Sequence, residues 1–465
     1  MRGDRADAAV VLGGSIAGLL AARVLAERFG TVVVVERDRL PDAAEPRRGV
    51  PQGRHIHGLL AGGQQAFEQL LPGLTQDLAA AGVPVGDPLA DLRLCLNGHP
   101  FRQAPSGLIL VSASREMLEH HLRRRVRALP NLTLNDRCDV VGLAVTGRRI
   151  TGVRVLPRGD HSDEELVNAD LVVDATGRGS RAPVWLSQLG FPHPGEKQLR
   201  VDLGYTTRRY HLPAETLDGN LGLLQAPTPA HPRGAALARL EHGVWMLTLI
   251  GLRGDLPPTD PDGFDRFAAS VGSAELQAVI GTAEPLDAPV AFRFPASTRR
   301  HYERIRLPEN LWVVGDSLAS FNPVYGQGMS VAALEAVALA RQLSRERLPP
   351  SHVVMRELAR IVDVPWQLAG AVDQALVSPD NPPAGRDRLM AAYVDHVQAA
   401  AGHDPVVGRG FLRVSGLIDP PSALLRPRLI WRILRQLLAA HSDSNGSPPP
   451  AQPPAGLSHG TRRSS

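Results

Sequence analysis

Apolar positions along the chain follow three rhythms. The first is the short unbroken run: Ala8-Ala-Val-Val-Leu12 ends in Gly13-Gly14-Ser15-Ile16-Ala17-Gly18, after which Ile16, Leu19, Leu20 and Val24 recur at helical spacing. That order predicts a strand, a tight turn and a helix. Thr31-Val-Val-Val-Val35 is a second such run and ends in Glu36. Asp170-Leu-Val-Val-Asp174 has the pattern of a buried strand and leads into the glycine turn Ala175-Thr-Gly-Arg-Gly-Ser-Arg181. Leu311-Trp-Val-Val314 runs likewise into Gly315-Asp316, followed by Phe321-Asn-Pro-Val-Tyr-Gly-Gln-Gly-Met329 and a helix with Val331, Leu334 and Ala338 on one face. The second rhythm is alternation: Arg200 to Leu212 and Val244 to Leu252 alternate or run apolar with β-branched and aromatic residues, which predicts an antiparallel sheet. The third is helical, from about Ser351 to Ala440, broken at Pro379-Asp-Asn-Pro-Pro383 and at Pro420-Pro421. Ser442 to Ser465 is rich in Ser, Pro and Gly, and disorder is the expectation there.

Composition narrows the picture. With 465 residues, 43% hydrophobic and 21% charged, the chain has room for one large α/β unit with additions, or for two to three domains. No run of about 18 apolar residues reads as a membrane span. The opening Met1 to Leu12 lacks the apolar length and cleavage site of a secretory signal, so the cytoplasm is the expected location. Cys95 and Cys138 are too few for a disulfide framework or a zinc site. The 51 basic residues are nearly balanced by 47 acidic ones, which argues against nucleic acid as a partner. His55 and His57 would share a face in extended chain, but no further ligand cluster accompanies them, and no metal is expected. His120 to Arg127 reads as a solvated basic helix face, and the amphipathic Leu429–Leu438 as a helix docked on the protein's own core.

The first glycine turn carries chemistry. Gly13 permits the turn, small residues let the backbone approach a pyrophosphate, and the following helix N-terminus offers unpaired N–H groups to negative charge. Glu36 lies 18 residues beyond Gly18, where a nucleotide-binding βαβ unit places the carboxylate that holds a ribose hydroxyl pair. Ser15 stands where a second glycine is usual, with a hydroxyl able to donate to phosphate.

Taken jointly, the first turn, the Asp174-Ala-Thr-Gly177 segment and the late Gly315-Asp316 loop resemble the aromatic-hydroxylase class of FAD-dependent monooxygenases over roughly residues 8 to 345. The resemblance implies that Gly13, Ser15 and Gly18 meet the FAD pyrophosphate, with Glu36 and Arg37 at the adenosine end. Gly315 and Asp316 would bond the ribityl chain, and Pro323, Gly326, Gln327, Gly328 and Met329 would face the isoalloxazine. Asp174 matches the middle motif, associated with FAD and the reduced nicotinamide, although an adjacent Asp-Gly pair is usual there. Arg115 matches an arginine that opens a helix near the FAD phosphates. The Arg47-Arg-Gly-Val-Pro-Gln52-Gly-Arg-His-Ile-His57 stretch, with Arg47 and Gln52, resembles one that passes close to the flavin. That stretch and Asn322–Ser330 are most similar to bacterial flavin epoxidases and hydroxylases that tailor polyketides.

The implied fold is α/β, a discontinuous Rossmann-like FAD-binding domain with an inserted antiparallel substrate sheet and a C-terminal helical region. Its implied parts are 1–190 (with 71–104 on the substrate side) and 290–345 for FAD, 191–289 for the sheet, 346–440 for helices and 441–465 for a disordered tail. The implied reaction uses NADPH or NADH as transient reductant and O2. A flavin 4a-hydroperoxide then epoxidises or hydroxylates a small apolar substrate, with Val201, Leu203, Tyr205, Val244 and Met246 as candidates for the pocket lining. A ring hydroxylase, or a flavin reductase, dehydrogenase or non-redox cyclase on the same scaffold, is the alternative. The signature of flavin halogenases is missing: Trp245 has no second tryptophan two residues away, and Lys197, the single lysine, lies in a different context. No catalytic base is visible in the sequence, and the oligomeric state is left open.

Overall fold

The computed structural model describes residues 7–159, 163–377 and 385–446. In chain order, the elements that build the site are strand β1 (Ala8–Leu12), helix α1 (Ile16–Leu25), β2 (Thr31–Val35), α2 (Arg115–Arg127), β3 (Leu132–Asn135) and β4 (Leu171–Asp174). They continue with β5 (Glu196–His211), β6 (Val244–Gly251), β7 (Val290–Arg300), β8 (Leu311–Val313), α3 (Gln327–Leu343) and α4 (Ser351–Val377).

Five of these strands form a parallel sheet in the order β8-β4-β1-β2-β3. A parallel sheet is covered on both faces, which is why these strands read as unbroken apolar runs. Val10, Val11, Leu12, Val172, Val173, Leu311 and Val313 are shut off from solvent, in one core with Leu19 and Leu20 of α1 and Ala333 and Leu339 of α3. Because all five strands run the same way, the turns after β1, β2, β4 and β8 open at one edge, the position where open α/β sheets bind their ligands.

The second sheet is largely antiparallel and runs Ala319–Ser320, β7, β5, β6, Arg233–Arg239, Gly222–Gln225, Leu92–Leu96, His99–Pro100, with Glu284–Pro285 beside β5. One face, with Tyr210, Trp245, Leu247 and Leu249, packs with Phe264 and Phe267 of the helix Pro261–Ser270. The other carries Val201, Leu203, Tyr205, Ile250 and Phe294, and there it meets Leu376 of α4.

Several expectations need correction. Val290–Arg300, assigned from sequence to the nucleotide-binding part, is β7, paired antiparallel along β5, because Phe292 and Phe294 stand opposite Tyr205 and Leu203. In the basic helix α2, Arg123 and His121 are buried rather than solvated, with Arg123 donating to the Ala43 carbonyl at 3.3 Å. The C-terminal helix Pro427–Gly446 docks through Ile433 but leaves Trp431 60% and Leu434 53% exposed, so only one edge of it lies on the core. It also runs past the expected boundary at 440 into the stretch expected to be disordered; residues 447–465 lie outside the described residues, as does the break at Pro379–Pro383. Among the described residues, no helix is long and apolar enough to cross a membrane and no group of His, Cys, Asp and Glu is arranged to hold a metal ion. Cys138 is buried and Cys95 half-buried, both as free thiols.

Candidate functional site

Gly13 has φ +100° and donates to the Val35 carbonyl at 2.8 Å, so the first turn is tied to the end of β2. A Cβ on Gly13 would stand 2.5 Å from the Ala175 carbonyl oxygen, and one on Gly18 would stand 1.8 Å from the Gly13 oxygen. Neither position tolerates a side chain, which explains two of the three small residues in the motif. Glu36 closes the turn from the other side: its Oε2 accepts the Gly14 N–H at 2.7 Å and its Oε1 the Asp38 N–H at 2.9 Å. Each oxygen keeps a further lone pair.

The third small residue, Ser15, enters a buried charge network. Ser114 caps α2 by accepting the Met117 N–H, which sets Arg115 and Glu119 one turn apart on the same face. Glu119, 3% exposed, accepts from Arg115 Nε at 2.9 Å, from Ser15 Oγ at 2.6 Å and from Arg47 Nη2 at 2.9 Å. Arg115 Nη2 donates back to Ser15 Oγ at 2.9 Å, and Arg47 Nη1 lies 3.4 Å from Glu36. Burial by itself would raise the Glu119 carboxyl, but the Arg115 and Arg47 charges outweigh it and hold the pKa at about 2. Thus Gly13, Ser15, Gly18, Glu36, Arg47 and Arg115 converge at the start of α1. Gln52 is half-buried in the turn Pro51–Arg54, whose Gly53 lies beside Arg115. Arg37 is exposed and lines a groove of about 420 Å³ with Arg39, Arg48, Arg137 and Arg158, and the groove reaches this network through Arg47 and Asp38.

At the end of β8, Gly315 takes φ +61° and donates to Glu335 Oε2 of α3 at 2.6 Å. Glu335 is fully buried; desolvation, reinforced by the neighbouring Asp316, lifts its pKa to about 8. Asp316 itself is half-buried and accepts no hydrogen bond from the described residues. Burial raises its carboxyl against the pull of Arg115, Arg178 and Arg300. A Cβ on Gly328, at the start of α3, would find only Asp316 Oδ1 near, at 3.9 Å, so open space separates the carboxylate from the helix N-terminus. Gln327 and Met329 are buried, and the Gln327 Oε1 has no hydrogen-bond partner among the described residues. Asp174 has no exposed surface: its carboxylate accepts from Thr176, Ser180 and Ser317 and so braces the second glycine turn against the Gly315 turn. It shapes this edge from beneath.

The loop after Asp316 meets the second sheet. Pro323–Tyr325 is a single helical turn capped by Asn322, and Gly326 at φ +63° starts α3. Asp373 of α4 accepts from Asn322 Nδ2 and from the Tyr325 hydroxyl, each at 2.7 Å. Val324 packs with Val201, Leu203, Tyr205, Phe294 and Leu376. His55 reaches the same sheet face: its Nδ1 pairs with Thr207 Oγ1 at 2.7 Å, and Thr207 with Thr248 at 2.6 Å. Burial first, and then the Arg54 charge, lowers the His55 pKa to about 4, so this ring is neutral at pH 7. Of the expected lining residues, Val201, Leu203 and Tyr205 come together here. Val244 and Met246 do not: they pair with His211 and Arg209, roughly 13–20 Å along β5 from Tyr205 at about 3.3 Å per residue.

Over 456 residues the chain is 35% identical to Protein Rv3254 of Mycobacterium tuberculosis (strain ATCC 25618 / H37Rv), across 93% of this chain and 95% of that one. It belongs to the same family. No family model matches the sequence. Among solved structures, a flavoprotein/dehydrogenase from Cytophaga hutchinsonii aligns at 12% identity and TM-score 0.67, and the flavin-dependent brominase Bmp2 at 16% and 0.64, each over 94% of this chain and 99% of the other. The p-nitrophenol 4-monooxygenase PnpA from Pseudomonas putida DLL-E4 aligns at 16% identity and TM-score 0.60, over 89% of this chain and 99% of that one. The expected α/β architecture is therefore present, and the chain shares its fold with flavin-dependent enzymes, monooxygenases among them.

Three buried residues of this site have no counterpart in the sequence reading. Glu119 carried a usable signal, lying four residues after Arg115 on one helix. Glu335 and Asp373 carried none: their partners Gly315 and Asn322 are 20 and 51 residues distant.

Proposed function

We propose that this protein is an FAD-dependent monooxygenase that epoxidises or hydroxylates an apolar, polyketide-type substrate, with NADPH or NADH as reductant and O2 as oxidant. The observation that carries the reading is the unbonded Asp316 carboxylate facing open space beside the N-terminus of α3, on the same sheet edge as the glycine turn of β1. A dinucleotide with a hydroxylated chain fits that donor and acceptor set. Gly13, Ser15 and Gly18 would admit its pyrophosphate, Glu36 its ribose, and Asp316 its ribityl hydroxyls. When bound, FAD supplies the redox chemistry, accepting a hydride and delivering one oxygen atom to the substrate.

The chain's own residues do the rest. Glu119, Arg47 and Arg115 fix the start of α1, so the helix N–H groups meet the phosphates in a set orientation. The α3 N-terminus would stabilise negative charge on a flavin ring held beside it. Val201, Leu203, Phe294, Val324 and Leu376 keep water from the seam between loop and sheet. Reconstitution tests this directly: purified protein should take up FAD, oxidise reduced nicotinamide, and place isotope from labelled O2 in its product. A protein that stays colourless with FAD in excess, or a product free of label, overturns the reading.

A further inference from the structure

The C-terminal helix Pro427–Gly446 carries two apolar stripes, and the fold uses one of them. Leu429, Ile433 and Leu437, one helical turn apart, pack with Val407, Val414 and Leu424. Gly410 of the neighbouring helix Pro405–Ser415 permits the close approach, since a Cβ there would stand 3.1 Å from Leu429 Cδ2. Trp431, Leu434 and Leu438 form the second stripe at positions i, i+3 and i+7, and are 60%, 53% and 71% exposed. At about 100° per residue it lies roughly 130° round the helix from the first, so the contact that buries one leaves the other facing outward. Arginines line one flank of the exposed stripe. Arg428, Arg432 and Arg435 follow at i, i+4 and i+7, and from Pro420 to Ser442 the chain holds four arginines and no Asp or Glu. Arg432 is tied to the buried Asp404 at 2.7 Å. Arg435 lies over the Trp431 ring at 5.2 Å, and among the described residues neither it nor Arg428 meets a carboxylate. Single exposed apolar side chains are ordinary, but a tryptophan and leucines in register on one helix face mark a surface that something covers.

We propose that this face docks the protein peripherally on an anionic lipid bilayer. The charge pattern selects that occupant. Residues 447–465 contain Leu457 as their single large apolar side chain, too little to cover the stripe. A second copy is a poor match: a few partly covered side chains fall short of the ~800 Å² per partner of a stable interface, and a two-fold axis would set the arginine row against itself. A bilayer surface with phosphate headgroups matches both halves of the pattern. The Trp431 ring sits at headgroup level, where its apolar body and its N–H both find suitable surroundings. Leu434 and Leu438 enter the acyl boundary, and Arg428 and Arg435 donate to lipid phosphates. An interfacial helix sinks only about 5–10 Å, so docking of this kind needs no spanning segment. Because a bilayer concentrates apolar molecules, docking would bring an apolar substrate near the enzyme. The docking itself is independent of the flavin reading, since no residue of this face belongs to the glycine turns or to the Asp316 loop.

Vesicle co-sedimentation of the full chain tests this, with vesicles of phosphatidylcholine alone and of phosphatidylcholine mixed with an equal part of phosphatidylglycerol. Each arginine near an anionic surface contributes about five-fold, so the mixed vesicles should bind at least about 10-fold more tightly than the neutral ones. Raising NaCl from about 0.1 M to about 0.5 M should release the protein. Arg428→Gln with Arg435→Gln should weaken binding to the mixed vesicles about 10- to 30-fold, while Arg428→Lys with Arg435→Lys, which keeps the charge, should preserve it. Trp431→Ser with Leu434→Ser should weaken it about 10- to 100-fold. These side chains face outward, so the midpoint of thermal unfolding should stay in place; should the serine pair fold poorly, the glutamine and lysine pairs decide alone. No binding to either vesicle, equal binding to both, or binding that survives the charge-removing pair overturns the proposal. So does a concentration-dependent dimer that the serine pair separates into monomers, because a second copy would then be the cover.

Discussion

Glu119 on α2 and Glu335 on α3 are both shut away from water, at 3% and 0% exposure, yet they end in opposite charge states. Around Glu119, two guanidinium groups and a serine hydroxyl converge, and the carboxyl is held at about 2. Around Glu335, among the described residues, one backbone N–H from Gly315 bonds Oε2 and none bonds Oε1, and the nearby Asp316 opposes a second negative charge; its pKa rises to about 8. Depth of burial sets the cost of a charge, and the partners decide whether it is kept. The two regions consequently serve differently, one as an ion-paired frame for the first glycine turn and the other as a neutral prop behind the Gly315-Asp316 turn.

The comparison breaks most visibly at Glu119. Glu119→Gln removes the carboxylate that Arg115 and Arg47 share, leaving Arg47 only its longer contacts to Glu36 and Asp38, and should lower the unfolding free energy by about 3–5 kcal/mol at pH 7, read from urea denaturation. Because the folded pKa is depressed from 4.5 to about 2, the wild-type advantage is complete above pH 4.5 and fades as pH falls through 2. The same exchange at Glu335 has the opposite sign. Its folded pKa is raised, so the wild-type contribution is whole below pH 4.5 and drains as pH climbs to 8. Glu335→Gln should match wild type near pH 4 and be about 3–3.5 kcal/mol more stable at pH 7, following about 1.4 kcal/mol per pH unit between pH 4.5 and 7. Two denaturation series of equal sign would show that the two sites do not differ as described.

Smaller effects sharpen the contrast. Asp316→Ala removes the carboxylate that Glu335 backs, and FAD should be held about 10- to 100-fold less tightly, or about 1.5–3 kcal/mol, by equilibrium dialysis; undiminished retention counts against Asp316 as the ribityl partner. Ser15→Gly restores the commoner glycine but deletes the hydroxyl between Glu119 and Arg115, and a loss of about 0.5–1.5 kcal/mol in thermal or urea unfolding is expected. A gain in stability would mean that the hydroxyl contributes nothing to the frame.

What the sequence by itself determined is whatever neighbours along the chain enforce. Ala8–Leu12 followed by Gly13 and Gly18 dictates strand, turn and helix, since Gly13 takes φ +100° and a Cβ on Gly18 collides with the Gly13 carbonyl within the same motif. The apolar runs at β2, β4 and β8 need two covered faces, which fixes a layered α/β arrangement before any coordinate is known. Arg115 and Glu119 were readable as a pair for the same reason, being one helical turn apart. Only the tertiary structure decided the rest. Nothing local distinguishes Asp373 from a solvated helix carboxylate until α4 lies against Asn322 and Tyr325. Nor does anything near Glu335 announce a neutral acid until the β8 turn covers it. The membership of β7 in the large sheet, and the separation of Val244 and Met246 from Tyr205, follow from strand register, a property shared between two segments and carried by neither. Burial and charge pairing are sums over spatial neighbours, so a linear pattern can nominate the glycine turns but cannot assign the protonation state or the partner of a group that distant segments enclose.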